Sequence, residues 1–312
     1  MKKFIIKLCS FFILVAAVTF LLQGLISLRI KGKTVRGHDN LEQMADVNAD
    51  LLFTGSSRCF AHFDPSFFDT TFNLKTVNIG VDGHPQISMA IVRLQDYLSR
   101  NKPPKFVIFS FDPFSAPNTF HKSKNNVHKN DFARYAFFPS EKDLPMVNYF
   151  HFNFWEKYIP LYAMFKYKLL GDAIFLNNID NSVKYGYGRH DESWDTVAIP
   201  VTDTLKAKMF KKSETKEITN SLDSLKKMCL TKNIKLLCIQ TPVYKSIYDE
   251  SIFSETKKIC HYLNIPFIDA NKEYIRNNIN YFYNSNHMNK QGVDELNRLL
   301  KDDPVLLDFL SK

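Results

Sequence analysis

Leu51-Leu52-Phe53-Thr54-Gly55-Ser56-Ser57-Arg58 (residues 51–58) is an apolar run that stops abruptly in a Gly-Ser-Ser turn. A short continuous apolar segment bounded by turn residues is the pattern of a strand buried on both faces. We place that strand at Asp50–Thr54. Reading outward, Leu74–Ile79 is a second apolar run. Pro85–Arg100 follows as a helix, with Ile87, Ala90, Ile91, Leu94, Tyr97 and Leu98 on one face and Pro85 in its first turn. Pro103-Pro104 ends that unit, and Lys105–Phe111 is a third strand. The alternation resumes later. Glu214–Thr231 is a helix with Ile218, Leu222, Leu225 and Cys229 on its apolar side and Ser213 as a cap. Lys235–Gln240 is a strand, Ser251–Leu263 a helix and Pro266–Ile268 a short fifth strand. Asn289 caps a last helix lined by Val293, Leu296, Leu299 and Leu300. Strands separated by helices imply a mainly parallel sheet covered on both faces. The expected fold is α/β, a flavodoxin-like three-layer sandwich.

The chain has 312 residues and a formal net charge of +9. Its lysines are scattered, with no basic stripe, zinc-knuckle spacing or RNA-binding signature, so a nucleic-acid partner is not expected. Leu8–Leu28 is almost wholly apolar, the right length for one membrane crossing. The run is longer than an ordinary signal-peptide core and no clean cleavage site follows. The expected organisation is therefore a membrane anchor at 1–30, a polar linker at 31–48 and a domain at 49–312. Lys2, Lys3 and Lys7 precede the span and Arg29, Lys31, Lys33 and Arg36 follow it, which leaves the positive-inside rule nearly tied. The five cysteines form no Cys-x-x-Cys pair, which argues against metal or redox chemistry. No cofactor is expected.

Residues 113–212 interrupt the alternation. They are rich in Phe, Tyr, Trp, His and Asn, with helical stretches near Phe154–Leu170 and a dense aromatic set of Trp155, Tyr158, Tyr162, Phe165 and Tyr167. Such an insertion reads as a packed subdomain or as a cap over the site. An insertion after a strand's carboxyl end lies where open α/β sheets bind ligands.

The same rule locates candidate chemistry. Gly55-Ser56-Ser57 follows the first strand, Asn78–Gly83 the second and Asp112 the third, and His287 precedes the last helix. Ester chemistry needs a hydroxyl activated by a base and donors aimed at the developing oxyanion. Ser57 at a tight turn offers a hydroxyl and a backbone N–H, and His287 a base. Gly80 and Gly83 allow close backbone approach.

With those residues the chain resembles the SGNH (GDSL-type) hydrolase superfamily. It is most similar to the membrane-anchored branch that includes the D-alanyl transfer protein of teichoic acid synthesis and alginate-type O-acetylation proteins. The resemblance covers about 49–112 and 214–301, not the insertion. It implies Ser57 as nucleophile, Gly83 as an oxyanion donor and His287 as base. It also implies a domain on the outer side of the membrane, with the N-terminus cytoplasmic, and an acylated envelope glycan as substrate. A membrane-bound acyltransferase is an implied partner. The sequence departs from the pattern at three points. Ser56 stands where many members have Asp. The third-block Asn has no clear match near Ser110-Phe111-Asp112-Pro113. Asn284 stands three residues before His287, where the family has the triad Asp. An amide oxygen accepts a ring N–H but brings no charge.

Three arrangements remain open on the residues: a Ser57–His287 pair oriented by Asn284, a site using Asp112 or Asp82 as carboxylate, or a site without turnover. The expected function is a membrane-anchored serine esterase or acyltransferase acting on acyl esters of envelope glycans. The alternative is a non-catalytic binding or assembly protein of polysaccharide biosynthesis. A nucleotide-binding α/β protein is disfavoured, because no Gly-x-Gly-x-x-Gly opens a helix and no Walker lysine is present.

Overall fold

The computed structural model describes residues 1–30, 44–117, 129–137, 145–175 and 185–311. Two compact units emerge from its contacts. One joins the described parts of Met1–Glu42 and Lys124–Asn181, the other those of Gln43–Ser123 and Ser182–Lys312. The stretch read as one insertion is thus shared between them. Most of the linker reading, 31–43, lies outside the described residues.

The larger unit is built on five strands: β1 (Leu51–Thr54), β2 (Thr76–Asn78), β3 (Phe106–Ser110), β4 (Lys235–Gln240) and β5 (Phe267–Asp269). All pair in parallel, in the order β2-β1-β3-β4-β5. That is the flavodoxin-like order, with its switch point between β1 and β3. β1 and β3 are buried at every position, as a central parallel strand covered on both faces must be.

The helices follow from the same patterning. We label them α1 (Lys2–Ile30, in the smaller unit), α2 (Ser57–His62), α3 (Pro65–Phe72), α4 (Ile87–Arg100), α5 (Thr215–Thr231), α6 (Glu250–Tyr262), α7 (Lys290–Lys301) and α8 (Pro304–Ser311). Side chains alternate across a strand. Leu51, Phe53, Phe106, Ile108, Leu237 and Ile239 therefore share one face, where they meet Phe68 of α3, Val293, Leu296 and Leu300 of α7, and Leu306 and Phe309 of α8. Phe53 stacks on Phe63 at 4.8 Å and meets Phe68 edge-on at 4.7 Å. α4 and α5 pack together against the other side of β1 and β4. Their buried faces carry Ala90, Leu94 and Tyr97, and Ile218, Leu222 and Leu225, as the helical spacing requires.

Several elements have no counterpart in the sequence pattern. α2 begins directly at Ser57, α3 follows it with Asp64 as N-cap and Pro65 at its first position, and α8 ends the chain. Cys59, Cys229, Cys238 and Cys260 are buried thiols, and Cys9 is exposed. Burial pushes the thiols of Cys59, Cys229 and Cys238 well up, so they behave as small apolar groups.

The smaller unit joins α1 to short helices at Phe154–Tyr158, Tyr162–Lys166 and Leu170–Phe175. Phe132, Tyr135, Phe150 and Phe152 form part of its interior, with Phe132 and Phe150 stacked at 5.0 Å. α1 is the one helix among the described residues long and apolar enough to cross a membrane, with a mean hydropathy of 2.6.

Candidate active site

The site residues gather at the carboxyl ends of β1, β3 and β4. β1 ends at Thr54, and after Gly55 and the N-cap Ser56 the chain turns at once into α2. Ser57 is the first residue of that helix. First-turn N–H groups have no intrahelical acceptor, so its hydroxyl and amide emerge together at the sheet edge. Ser56 accepts from the Arg58 N–H at 3.4 Å, a capping role.

His287 arrives on a two-strand hairpin, β6 (Phe282–Asn284) and β7 (His287–Met288), in which Asn284 and His287 are direct cross-strand partners. The three-residue spacing seen in the sequence is therefore a tight turn through Ser285-Asn286. It sets the two side chains face to face. Asn284 Oδ1 accepts the backbone N–H groups of Asn286 at 3.1 Å and His287 at 3.0 Å. Backbone donors fix which end of the amide points inward. The His287 Nδ1 lies 3.1 Å from that same oxygen and must donate to it. Nε2 is then the unprotonated nitrogen, and it lies 2.8 Å from Ser57 Oγ. That distance is within the reach required of a general base.

Electrostatics favour the neutral imidazole. Enclosure by protein is the largest cause, the Arg58 guanidinium is next, and His190 adds to it against the opposing pull of Asp82. Together they bring His287 down to about 3. The ring stacks on Tyr283 at 5.4 Å, and Tyr283 stacks on His190 at 4.0 Å. The turn Val81–His84 is held to the end of β1 by the Val81 N–H to Gly55 O bond of 3.0 Å. Gly83 in that turn has φ +73°, a conformation natural to glycine, and it is exposed.

The remaining candidates are placed differently. Gly80 packs beneath α2, where an added Cβ would lie 2.7 Å from Phe60 N. This is a packing position, consistent with Asn78, whose amide donates to the carbonyls of Cys59 (2.8 Å) and Phe63 (3.0 Å) and accepts from Gly80 N (2.9 Å). Asp112 is fully engaged elsewhere. Its Oδ2 takes the Arg58 Nε–H at 2.5 Å and its Oδ1 the Phe114 N–H at 2.9 Å. The amide of Asn284, not this carboxylate, touches the imidazole. Asp82 pulls on the ring by its charge.

Arg58 and His62 contribute to the site and are not named by the sequence reading. The buried guanidinium of Arg58 binds Asp112, the Asn286 carbonyl (2.5 Å), the Thr241 carbonyl (2.6 Å) and hydroxyl (2.9 Å), and the Pro242 carbonyl (3.2 Å). It ties the His287 hairpin to the ends of β3 and β4. Beside it, His62 accepts the Met288 N–H on Nε2 at 3.0 Å and so donates from Nδ1 to Thr241 Oγ at 2.8 Å. Both nitrogens are committed in the neutral form. Burial, then Arg58 and the neighbouring histidines, hold this ring well below the usual histidine range. Of the two, only Arg58 carries a visible signal, its place next to the turn serine.

The molecule is thus an open parallel α/β sandwich with a Ser–His–Asn relay at the carboxyl ends of its strands. No protein-family model and no curated protein sequence matches the chain. Among solved structures it is similar to a protein assigned as an acylhydrolase from Bacteroides fragilis NCTC 9343, at 12% identity over 87% of this chain and 95% of that one, with a TM-score of 0.38. It is also similar to a GDSL-like lipase from Bacteroides thetaiotaomicron VPI-5482, at 12% identity over 80% and 85%, with a TM-score of 0.35. At those scores neither likeness bears on the chemistry, which rests on the side chains described above.

Proposed function

We propose that this chain is an SGNH-type serine esterase or acyltransferase, anchored in a membrane by α1, that acts on O-acyl groups, foremost O-acetyl, of envelope glycans. The observation that carries the reading is the continuous hydrogen-bonded line Ser57 Oγ–His287 Nε2–Nδ1–Asn284 Oδ1. In the proposed reaction Ser57 Oγ attacks the ester carbonyl while His287 Nε2 takes the hydroxyl proton. The N–H groups of Ser57 and Gly83 stabilise the oxyanion. His287 then gives its proton to the leaving alkoxide, and the C–O bond to the sugar breaks. Water or another sugar hydroxyl, deprotonated by His287, attacks the acyl-serine carbonyl and restores Ser57. Asn284 keeps the imidazole in the productive tautomer throughout. The length and apolar character of α1 support the anchored arrangement.

The experiment is hydrolysis of p-nitrophenyl acetate and release of acetate from an O-acetylated polysaccharide. Ser57→Ala should lower both rates by about 10³-fold or more, with the circular dichroism spectrum unchanged. Equal rates in wild type and Ser57→Ala would remove the reading. Asn284, which cannot stabilise an imidazolium by charge, favours a second reading: a binding or assembly protein on the same fold. Retained binding of the polysaccharide with no turnover in either protein would select it.

A further inference from the structure

The smaller unit exposes large apolar side chains that its own fold does not bury. Phe154, Trp155, Tyr158, Ile159, Phe165 and Phe175 are all exposed, Phe165 at 74% and Phe175 at 70%. All but Ile159, which follows the first of them, lie on the three short helices of that unit. Lone exposed apolar groups are ordinary, but Phe154 meets Trp155 at 5.8 Å and Tyr158 at 4.8 Å, and an exposed aromatic cluster of this kind marks an interaction surface.

Its depth is fixed by α1. Gln23, Ile26 and Ile30 are the buried residues of that helix, and from Phe4 to Leu22 it is exposed apart from the half-buried Thr19 and apolar apart from Lys7, Ser10 and Thr19. Gln23 is anchored on the short helices. Its Oε1 accepts the Leu161 N–H at 2.7 Å, and its Nε2 reaches Ser27 Oγ at 3.3 Å and Met164 Sδ at 3.8 Å. Arg29 Nε donates to the Ile174 carbonyl at 3.0 Å and Arg134 Nη2 to the Ile30 carbonyl at 3.1 Å. These bonds hold the short helices along the last two turns of α1. Because Gln23, Ile26 and Ile30 are covered by protein, the lipid-facing stretch ends earlier than the apolar run to Leu28 suggests. From Phe4 to Leu22, with Lys7 extending its ammonium back to the near boundary, the helix rises about 28 Å, close to the roughly 30 Å of a bilayer's hydrocarbon core. If Phe4–Leu22 fills the core, Gln23 reaches the far boundary. Leu161, bonded to Gln23, then lies in the headgroup layer, with the aromatic side chains around it.

We infer that the helices Phe154–Tyr158, Tyr162–Lys166 and Leu170–Phe175 form an interfacial collar that inserts their exposed aromatic side chains into the membrane leaflet next to the end of α1. The inference rests on the reading of α1 as a membrane span and goes beyond it. Amphipathic aromatic side chains favour the water–lipid boundary, and short helices lying in that plane bury their apolar face in it. The Glu156 carboxylate would be costly there if unpaired. It is buried and fully satisfied by Lys166, Tyr167 and the Asn153 N–H.

The test uses the two tryptophans of the chain. Full-length protein is reconstituted in phosphatidylcholine vesicles brominated either near the headgroup or deep in the acyl chain. Subtracting the emission of Trp155→Phe isolates Trp155. We expect Trp155 to be quenched more by shallow than by deep bromine and to be shielded from aqueous iodide. A Leu14→Trp substitution in the Trp155→Phe background reports on α1 and should be quenched most by deep bromine. If position 14 is quenched while Trp155 ignores both lipids and stays open to iodide, the collar is overturned and the span stands. If neither is quenched, both fail. Trp155 untouched by lipid in vesicles but shielded from iodide in native membranes would assign the patch to a protein partner and overturn the inference.

Discussion

Asn284 is the residue on which the chemistry turns. A carboxylate at this position would stabilise the imidazolium by charge, whereas the amide only orients the ring. Arg58, buried near His287, pushes the same way as the amide, toward a neutral imidazole. The consequence is a base that stays unprotonated to unusually low pH. Asn284→Asp should raise the affinity of His287 for protons and move the acid limb of the kcat/KM profile to higher pH. A profile that does not move would show that Asn284 does not govern the ring. Asn284→Ala removes the Nδ1 acceptor and should lower kcat by about 10²-fold or more through loss of the productive tautomer. Stability carries the same signature. His62 and His287 are both less basic folded than unfolded, so protonation favours the unfolded chain. Their contribution is complete above the unfolded value of about 6.5 and is lost as pH falls. The Tm should therefore drop between about pH 7.5 and pH 5.5, where carboxylates with ordinary pKa values remain ionised. A constant Tm by calorimetry over that window would contradict the assignment of both rings as neutral.

At the scale of elements, the β6–β7 hairpin carries the base, and its position is held by bonds from outside it. Tyr244 N–H binds the Ser285 carbonyl at 2.9 Å, Arg58 the Asn286 carbonyl, and His62 the Met288 N–H. Arg58→Ala would leave Asp112 buried without its partner, at a cost of about 3–5 kcal/mol. Denaturant unfolding measures this, and a cost under about 1 kcal/mol would show that the pair is not the clamp described. α7 is set against the hairpin by Asn289, whose amide donates to the carbonyls of Asn280 (2.8 Å) and Phe282 (3.3 Å) while its oxygen caps Gly292 N–H at 3.1 Å. Gly292 is the contact point, since a Cβ there would lie 2.1 Å from the Tyr281 carbonyl oxygen. Gly292→Ala should destabilise by about 1–3 kcal/mol and lower activity by displacing His287, to be read from paired melting and kinetic data. This scale also separates what the sequence makes legible from what it hides. The five strands, the long helices and the Asn289 cap rest on local periodicity and capping, which a single chain displays. α2 is six residues long, too short for a helical period to register. The clamp is hidden for another reason. Arg58 meets Asp112 across 54 residues and Asn286 across 228, and no local pattern encodes such distant partners. Asp112 illustrates the point from the other side. Its position just past the carboxyl end of β3 is legible in the sequence, but that Arg58 occupies its carboxylate is not.

At the scale of the molecule, a parallel α/β unit carries the Ser–His–Asn relay, and a second unit gathers the aromatic stretch around an apolar helix. The aromatic residues at 154–170 are left largely exposed, Trp155 and Phe165 among them, whereas the buried aromatics Phe132, Tyr135, Phe150 and Phe152 come before that stretch. The central claim remains that the larger unit bears a serine made nucleophilic by its neighbours. Its most direct measurement is reaction with a fluorophosphonate followed by peptide mass spectrometry. The account predicts one adduct per chain, on Ser57, absent from Ser57→Ala and strongly slowed in His287→Ala. An unlabelled Ser57 in folded wild-type protein, or labelling that survives Ser57→Ala, would contradict it.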